Sequence, residues 1–272
     1  MIVVLVVILL LIGFIQWNYY RYNQTLQRRL KRMEEQSEKN HGTVEEMDIG
    51  EVPEIVWKYF KNTKLFGKRK INKVTIKMKG HFRNREDEPW KKFESEQYYT
   101  MKPYAYIWNR SFYIWKFPFA KIYEEFGNGL GTIFYKFFAS LKNFEYTGRV
   151  VDEAAVLKYL SDMLWYPTVF ADTDITWEPV SKNAARAIIT KGNIKRSGIF
   201  YFNEKGYPTN FVSNRFKYRG RSKGTYEWSM PIKGYLEYDG FVVPQYGRVL
   251  WHLPEKDFCY MEFEVVDIKY EY

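Results

Sequence analysis

Hydrophobic and polar positions change their rhythm along this chain, and each change predicts a different element. From Ile2 to Trp17 the residues are almost wholly aliphatic, interrupted by Gly13 and Gln16, and Trp17, Tyr19 and Tyr20 follow as an interfacial aromatic belt would. A retained transmembrane anchor over residues 1–20 is the expectation. The apolar run is slightly short of the roughly 20 residues of an average span, so a signal-peptide core competes. No basic residue precedes the run, however, and no small-x-small cleavage site follows it. Polar helix formers then dominate as far as Asp48, broken at His41-Gly42, so residues 21–50 read as a polar helical stalk or linker.

Residues 51–272 carry the pattern of a sheet-rich globular domain. Val52 to Phe60 opens it as a short helix, with Pro53 suited to the first turn. Alternation follows: Val74, Ile76 and Met78 interleave with Thr75, Lys77 and Lys79, and similar segments cover Trp90 to Tyr99 and Tyr104 to Tyr113. Gly148 to Val151 reads as a further strand. After residue 174 the pattern is strand and turn to the end, with Asn203-Glu204-Lys205-Gly206 and Asp239-Gly240 as hairpin signals.

One stretch breaks this rhythm. Val156, Leu157, Leu160, Met163 and Leu164 recur at helical spacing, while Lys158, Ser161 and Asp162 fall on another face. Asp152 is the expected N-cap, and Pro167 takes the chain out of helix by Tyr166. The apolar stripe is expected against the sheet, with Leu160 and Trp165 buried, and the Lys158 face towards solvent, where its loss would cost little. The predicted fold is α+β and mostly antiparallel β: a curved meander sheet with a central helix on its inner face, plus the N-terminal membrane helix.

Composition sharpens this picture. Aromatic residues make up 20 % of the 272 positions, which favours pleated, half-buried surfaces, and 46 % hydrophobic content suffices for a substantial core. The single cysteine, Cys259, excludes an internal disulfide. The formal charge of +10 is concentrated at Arg21 to Arg32 and from Lys58 to Lys79, a span without acidic residues, and this predicts a basic membrane-proximal surface. The positive-inside rule favours a cytoplasmic globular domain on a single-pass cell-membrane protein. No nucleic-acid motif accompanies the charge, and nucleic acid is not an expected partner.

Catalytic motifs are absent. His41, His81 and His252 are too scattered for a local metal motif, and no cofactor or metal is expected. The cluster Gly127-Asn128-Gly129-Leu130-Gly131 lacks the Lys-Ser/Thr ending of a phosphate loop and reads as a tight turn or bulge. Asp172-Thr173-Asp174 reads as turn and cap chemistry. An enzyme would need Asp162, Arg215, Glu237 or His252 to converge in a cleft. Candidate ligand-lining residues are Tyr159, Met163, Trp165, Tyr166, Trp177, Arg215, Trp228 and Trp251, aromatic or basic positions around the central helix and the later strands.

The spacing of Lys158-Tyr159-Leu160 to Trp165-Tyr166-Pro167, then Trp177, Trp228, Tyr235, Asp239-Gly240, Pro244, Gly247 and Trp251-His252-Leu253, resembles an uncharacterised bacterial family of membrane-anchored proteins, a domain of unknown function numbered 6544 or 6920. Val52-Pro53, Gly80-His81-Phe82-Arg83, Pro89-Trp90, Gln97-Tyr98-Tyr99 and Arg215 also match, so the resemblance spans nearly everything from Val52 to Tyr272. Where that family carries arginine and glutamate in the central helix, Lys158 and Asp162 stand here, keeping the charges without the bidentate fork. By fold-level analogy the meander is similar to the half-open barrels of bacterial lipoprotein carriers. The function expected is a membrane-anchored binding or carrier protein for an apolar or lipid-like ligand held between sheet and helix, and a solid centre would speak against it. A structural or protein-interaction module of the cell envelope, with another envelope protein as partner, is the alternative. An enzyme is less favoured.

Overall fold

A computed structural model describes residues 2–114, 117–137, 143–171, 174–217 and 223–272. The alternating segments form strands β1 (Lys73–Phe82), β2 (Lys91–Thr100), β3 (Ala105–Ile114), β4 (Phe117–Gly127), β5 (Leu130–Phe137) and β6 (Asn143–Tyr146). After the central helix come β7 (Ile175–Ser181), β8 (Ala184–Lys191), β9 (Ile194–Phe202), β10 (Pro208–Lys217), β11 (Gly224–Tyr238), β12 (Phe241–His252) and β13 (Asp257–Glu271). They make one 13-stranded sheet in the order β6-β5-β4-β3-β2-β1-β13-β12-β11-β10-β9-β8-β7. Neighbours are antiparallel, and the last strand joins the two halves by pairing with the first. β6 and β7 do not pair with each other, so the sheet is curved and open. Asn128-Gly129 and Asp239-Gly240 turn hairpins with positive φ at both positions, the geometry that two-residue loops favour.

Helix α3 (Arg149–Asp162) crosses the inner face, touching β4 and β5 on one side and β8, β9 and β10 on the other. Short 3-10 turns at Met163–Trp165 and Pro167–Ala171 continue it. The segment Gly148 to Val151 is the start of this helix and not a strand: Gly148 caps it at φ 110, while the Asp152 carboxylate accepts from Gly131 N at 2.6 Å and ties the helix to β5. Leu160 and Trp165 are buried at 0 and 1 % exposure. The solvent face expected for Lys158, Ser161 and Asp162 does not exist, since all of these are buried as well. A helix enclosed by a curved sheet has no outward side, and its polar stripe turns towards polar residues of the sheet. Rings fill the remaining centre, with Tyr59, Tyr99, Tyr106, Tyr166, Phe170, Phe200 and Phe211 fully buried.

Helix α1 runs unbroken over Ile2–Glu35. Its first half is exposed and apolar, long and apolar enough to cross a membrane, as a signal sequence also is. Its second half lies on the outer face of the sheet, where Tyr22, Leu26, Leu30 and Met33 bury against Ala105, Ile107 and Tyr123. Tyr22 OH donates to Asn109 Oδ1 at 2.8 Å, Lys121 Nζ to Asn23 Oδ1 at 3.1 Å, and Arg29 pairs with Glu125. Part of the expected stalk is therefore docked onto the domain. Followed towards the helix N-terminus, these contacts progress along β3 in the direction of its C-terminal end, which is also where β1 ends, β13 begins and β12 ends. We call this the mouth.

The basic span from Lys58 to Lys79 starts at the other end, and only its last lysines, Lys77 and Lys79, approach the mouth along β1. Helix α2 (Glu54–Asn62) and the residues up to β1 lie at the opposite end of the sheet, with Lys58 donating to Glu204 O in the β9–β10 turn and Lys64 paired with Glu237. Lys73, Lys77 and Lys79 alternate onto the outer face of β1 and pair with Glu271, Glu96 and Glu264. The apolar half of α1 leaves the sheet at the mouth, whereas its second half runs along the sheet to the end where α2 begins, so closeness in sequence does not bring α2 near the apolar half.

Candidate functional site

Alternation along β3 sends Tyr106, Trp108, Arg110 and Phe112 inward, and at the mouth Trp108, Arg110 and Phe112 line a trough that α3 does not cover. One arm, of about 380 Å³, is walled by aromatic rings, among them Phe82, Phe112, Phe119, Tyr135, Phe137 and Phe144. The other, of about 470 Å³, brings together Arg83, Arg85, Arg110, Arg215 and Lys217 with Glu88 and Glu124, between the rings of Trp108, Trp251, Phe258 and Tyr260. Both include Phe82, Asn84 and Tyr135, so the trough is continuous. These volumes are ordinary for small-molecule sites. The outer face has a larger hollow, about 620 Å³, around Gly80, but its Lys79 is paired to Glu264 and it has no polar floor of buried groups.

Below the cationic arm is a cavity of about 50 Å³ that shares Trp108, Glu124, Arg215 and Tyr260 with it and meets the polar stripe of α3. Lys158 Nζ donates to Gln97 Oε1 at 2.7 Å, to Tyr99 OH at 3.0 Å and to Asp162 Oδ2. The single proton of Tyr99 OH can go to Asp162 Oδ2 or to Gln97 Oε1, both within hydrogen-bond reach, and Ser161 OH reaches the other oxygen of Asp162 at 3.2 Å. Tyr106 OH donates to Glu124 Oε1 at 2.7 Å, and Arg110 lies 3.5 Å from its second oxygen. Lys158 Nζ stands 4.2 Å from the Trp108 ring centre on one side, and the Arg110 guanidinium 3.7 Å from the same centre.

This is a buried, mostly satisfied ionic network with cationic excess towards its outer edge. Burial pulls the Lys158 ammonium below its usual range, opposed by Asp162 and then Glu124. Burial first, then the neighbouring carboxylate, Asp162 or Glu124, pushes the hydroxyls of Tyr99 and Tyr106 well above the usual tyrosine range. Among the described residues two donors on the wall have no hydrogen-bond partner: Trp108 Nε1 and Arg110 Nε. Both are donors and neither can accept, so a group that satisfied them would have to carry acceptor oxygens.

The residues singled out from sequence separate into distinct places. Arg215 and Trp251 line the cationic arm, and Arg215, Trp228 and Trp165 line the small cavity. Trp165 Nε1 donates to Pro244 O at 2.8 Å and Trp228 Nε1 to Tyr260 OH at 3.0 Å. Tyr159, Met163, Tyr166 and Trp177 are packed in the core, where Tyr166 OH donates to Tyr159 O and Trp177 Nε1 to Phe170 O. Asp162 and Arg215 meet at the cavity, but Glu237 is paired with Lys64 at the opposite end. His252 belongs to a relay on the outer face, with Nε2 2.7 Å from Ser229 Oγ and Nδ1 2.8 Å from Asp257 Oδ1. Ser229 is 2 % exposed between Val212 and Leu250, so this relay satisfies a buried hydroxyl and presents no accessible nucleophile. Asp174 pairs with Lys191, while Asp172 and Thr173 lie outside the described residues. Among the described residues no cluster of His, Cys, Asp or Glu could hold a metal.

Sequence reasoning missed Gln97, Trp108, Arg110 and Glu124. Their signal was present: Gln97, Arg110 and Glu124 are polar at positions that alternation assigns to the inner face, and a polar residue there needs a polar partner.

The chain belongs to a family of unknown function, DUF6544, whose model matches residues 42–263. No curated protein matches it. Among solved structures it is similar to a LolA superfamily protein, NE2245 from Nitrosomonas europaea, at 8 % identity and a TM-score of 0.42, over 79 % of this chain and 91 % of that one.

Proposed function

We propose that this protein is a membrane-anchored binding protein for a lipid-like amphiphile, held in the trough at the mouth, with its apolar part among the rings of the aromatic arm and an acidic head towards Arg110 and Arg215. The observation that carries this reading is the continuity of an apolar arm with a cationic one over buried donors that lack acceptors. Such a division matches an amphiphile better than a wholly apolar molecule, because an apolar occupant would leave those donors unsatisfied. Beneath α3, where the sequence pattern places the ligand, the described residues leave a cavity of only about 50 Å³, which speaks against that arrangement, so in this reading the ligand sits beside the helix. The network of Lys158, Asp162, Gln97 and Tyr99 then acts as a fixed floor that orients Trp108 and Arg110.

The test is photocrosslinking of a diazirine-bearing long-chain fatty acid to the full chain in vesicles, followed by peptide mapping. Label is expected on β5 and β12, competed by unlabelled fatty acid more than by the corresponding alcohol, and reduced by Arg215→Leu or Trp251→Ala. Label confined to α1 would mean simple partitioning into the bilayer and would sink the proposal.

A further inference from the structure

The path by which α1 leaves the domain decides what the trough faces. Ile15 belongs to the apolar run and is partly buried against the cluster in which Tyr22 and Leu26 meet the sheet, so the apolar segment continues directly into the docked part of the helix. The contacts that follow, Tyr19 with Lys121 and Tyr22 with Asn109, lie on one unbroken helix and leave it little freedom to swing. An average span takes roughly 20 residues, more than the run from Ile2 to Trp17 supplies, so the bilayer surface falls near Trp17 to Tyr20, beside the end of the sheet.

That end has the composition of an interfacial surface. Trp90, Phe137 and Phe144 are 37, 42 and 42 % exposed there, and Arg83 lies 4.3 Å from the centre of the Trp90 ring. Lys217 and Lys223 add positive charge around the same rim, where Lys91 and Arg85 pair with Glu88 and Asp87, and Lys256 with Glu86. Exposed aromatic rings interleaved with lysine and arginine suit the headgroup region of an anionic leaflet. The opposite end also bears lysines, among them Lys58, which donates to the Glu204 carbonyl, and Lys64, paired with Glu237, but the apolar half of α1 points away from it.

We propose that the mouth of the sheet rests on the bilayer surface that holds α1, so that the trough opens into lipid headgroups and its ligand enters from that leaflet. The inference rests on the reading of α1 as an anchor and deepens the amphiphile reading by naming the source. The occupant of the rim is the lipid surface itself.

The test uses the full chain in vesicles containing anionic lipid, with single cysteines introduced for a fluorophore in a Cys259→Ala background. Asp87→Cys labels the β1–β2 hairpin at the mouth, and Lys205→Cys labels the β9–β10 turn at the opposite end. A nitroxide-bearing lipid is the quencher. Quenching at position 87 should exceed that at position 205 several-fold, and Trp90→Ser should reduce the difference. Equal or reversed quenching would overturn the proposal, as would absence of quenching at both positions in protein that floats with the vesicles. Protein that does not float would remove the anchor reading and this inference together. Fatty-acid crosslinking to β5 and β12 is read separately, so the amphiphile reading stands or falls on its own result.

Discussion

Truncating Lys158 to alanine removes the ammonium that Asp162 faces and leaves a buried carboxylate with Tyr99 and Ser161 as its side-chain donors among the described residues. Removing one member of a buried ion pair costs about 3–5 kcal/mol. Leu160→Ala, at a site with no exposure, should cost about 2–5 kcal/mol. Denaturant melts should therefore show Lys158→Ala to be as damaging as Leu160→Ala, against the small effect that an exposed lysine would give. The pair Lys158→Met with Asp162→Leu should recover most of the loss, because apolar replacement of a whole buried pair is often neutral or stabilising. A double variant as unstable as Lys158→Ala would show that the network is required for folding. Fatty-acid crosslinking of the recovered variant then reports whether the polar floor also serves binding.

At the scale of elements, α1 is the one whose role changes most on folding. Its docked half reads as a stalk because Tyr22, Leu26, Leu30 and Met33 are spaced among Arg28, Arg29, Lys31 and Arg32, a mixture equally suited to water. Only the outer face of β3 and β4, exposing Ala105, Ile107 and Tyr123, turns that sparse stripe into an interface. Leu26→Ala should cost about 2–5 kcal/mol if the helix is held as firmly as a core element. Tyr22→Phe should cost about 1–3 kcal/mol through the acceptor left unpaired at Asn109. Proteolysis of the full chain in vesicles checks both, since cleavage after residue 35 should accelerate in proportion to the loss. Unchanged proteolysis in Leu26→Ala would mean that the helix is not held there.

At the scale of the molecule, the aromatic core determines the response to alkali. Burial, reinforced by Asp162 or Glu124, raises the hydroxyl pKa of Tyr99, Tyr106 and Tyr166 above the ordinary value of 10.0. Stability from such groups is fully present below that value and is lost as pH rises past it, at about 1.4 kcal/mol per pH unit for each tyrosine. Lys158 acts in the opposite sense, because its folded pKa lies below its ordinary 10.5, and on its account stability rises with pH up to that value. The tyrosines outnumber it. The melting temperature should therefore fall steeply above about pH 10, and Tyr106→Phe should make that fall shallower. An alkaline limb unaffected by Tyr106→Phe would show that another group controls it.

The sequence by itself determined the apolar N-terminal helix, most strand segments, the Asp239-Gly240 turn and the burial of Leu160 and Trp165, because alternation, helical spacing and turn chemistry are local. Which side of a helix is wet is not local. The stripe of Lys158, Ser161 and Asp162 has the spacing of a solvent face, and only the curvature of the sheet, which encloses α3, makes it the floor of a polar site. The same holds for the basic run from Lys58 to Lys79, whose start is separated from the apolar half of α1 because the helix runs along the sheet before α2 begins. The trough depends on distant strands meeting at one end: Phe82, Arg110, Arg215 and Trp251 come from β1, β3, β10 and β12, and their convergence follows from strand order and twist. Pairing the last strand with the first brings these residues together, and that long-range pairing is settled by packing the whole chain at once.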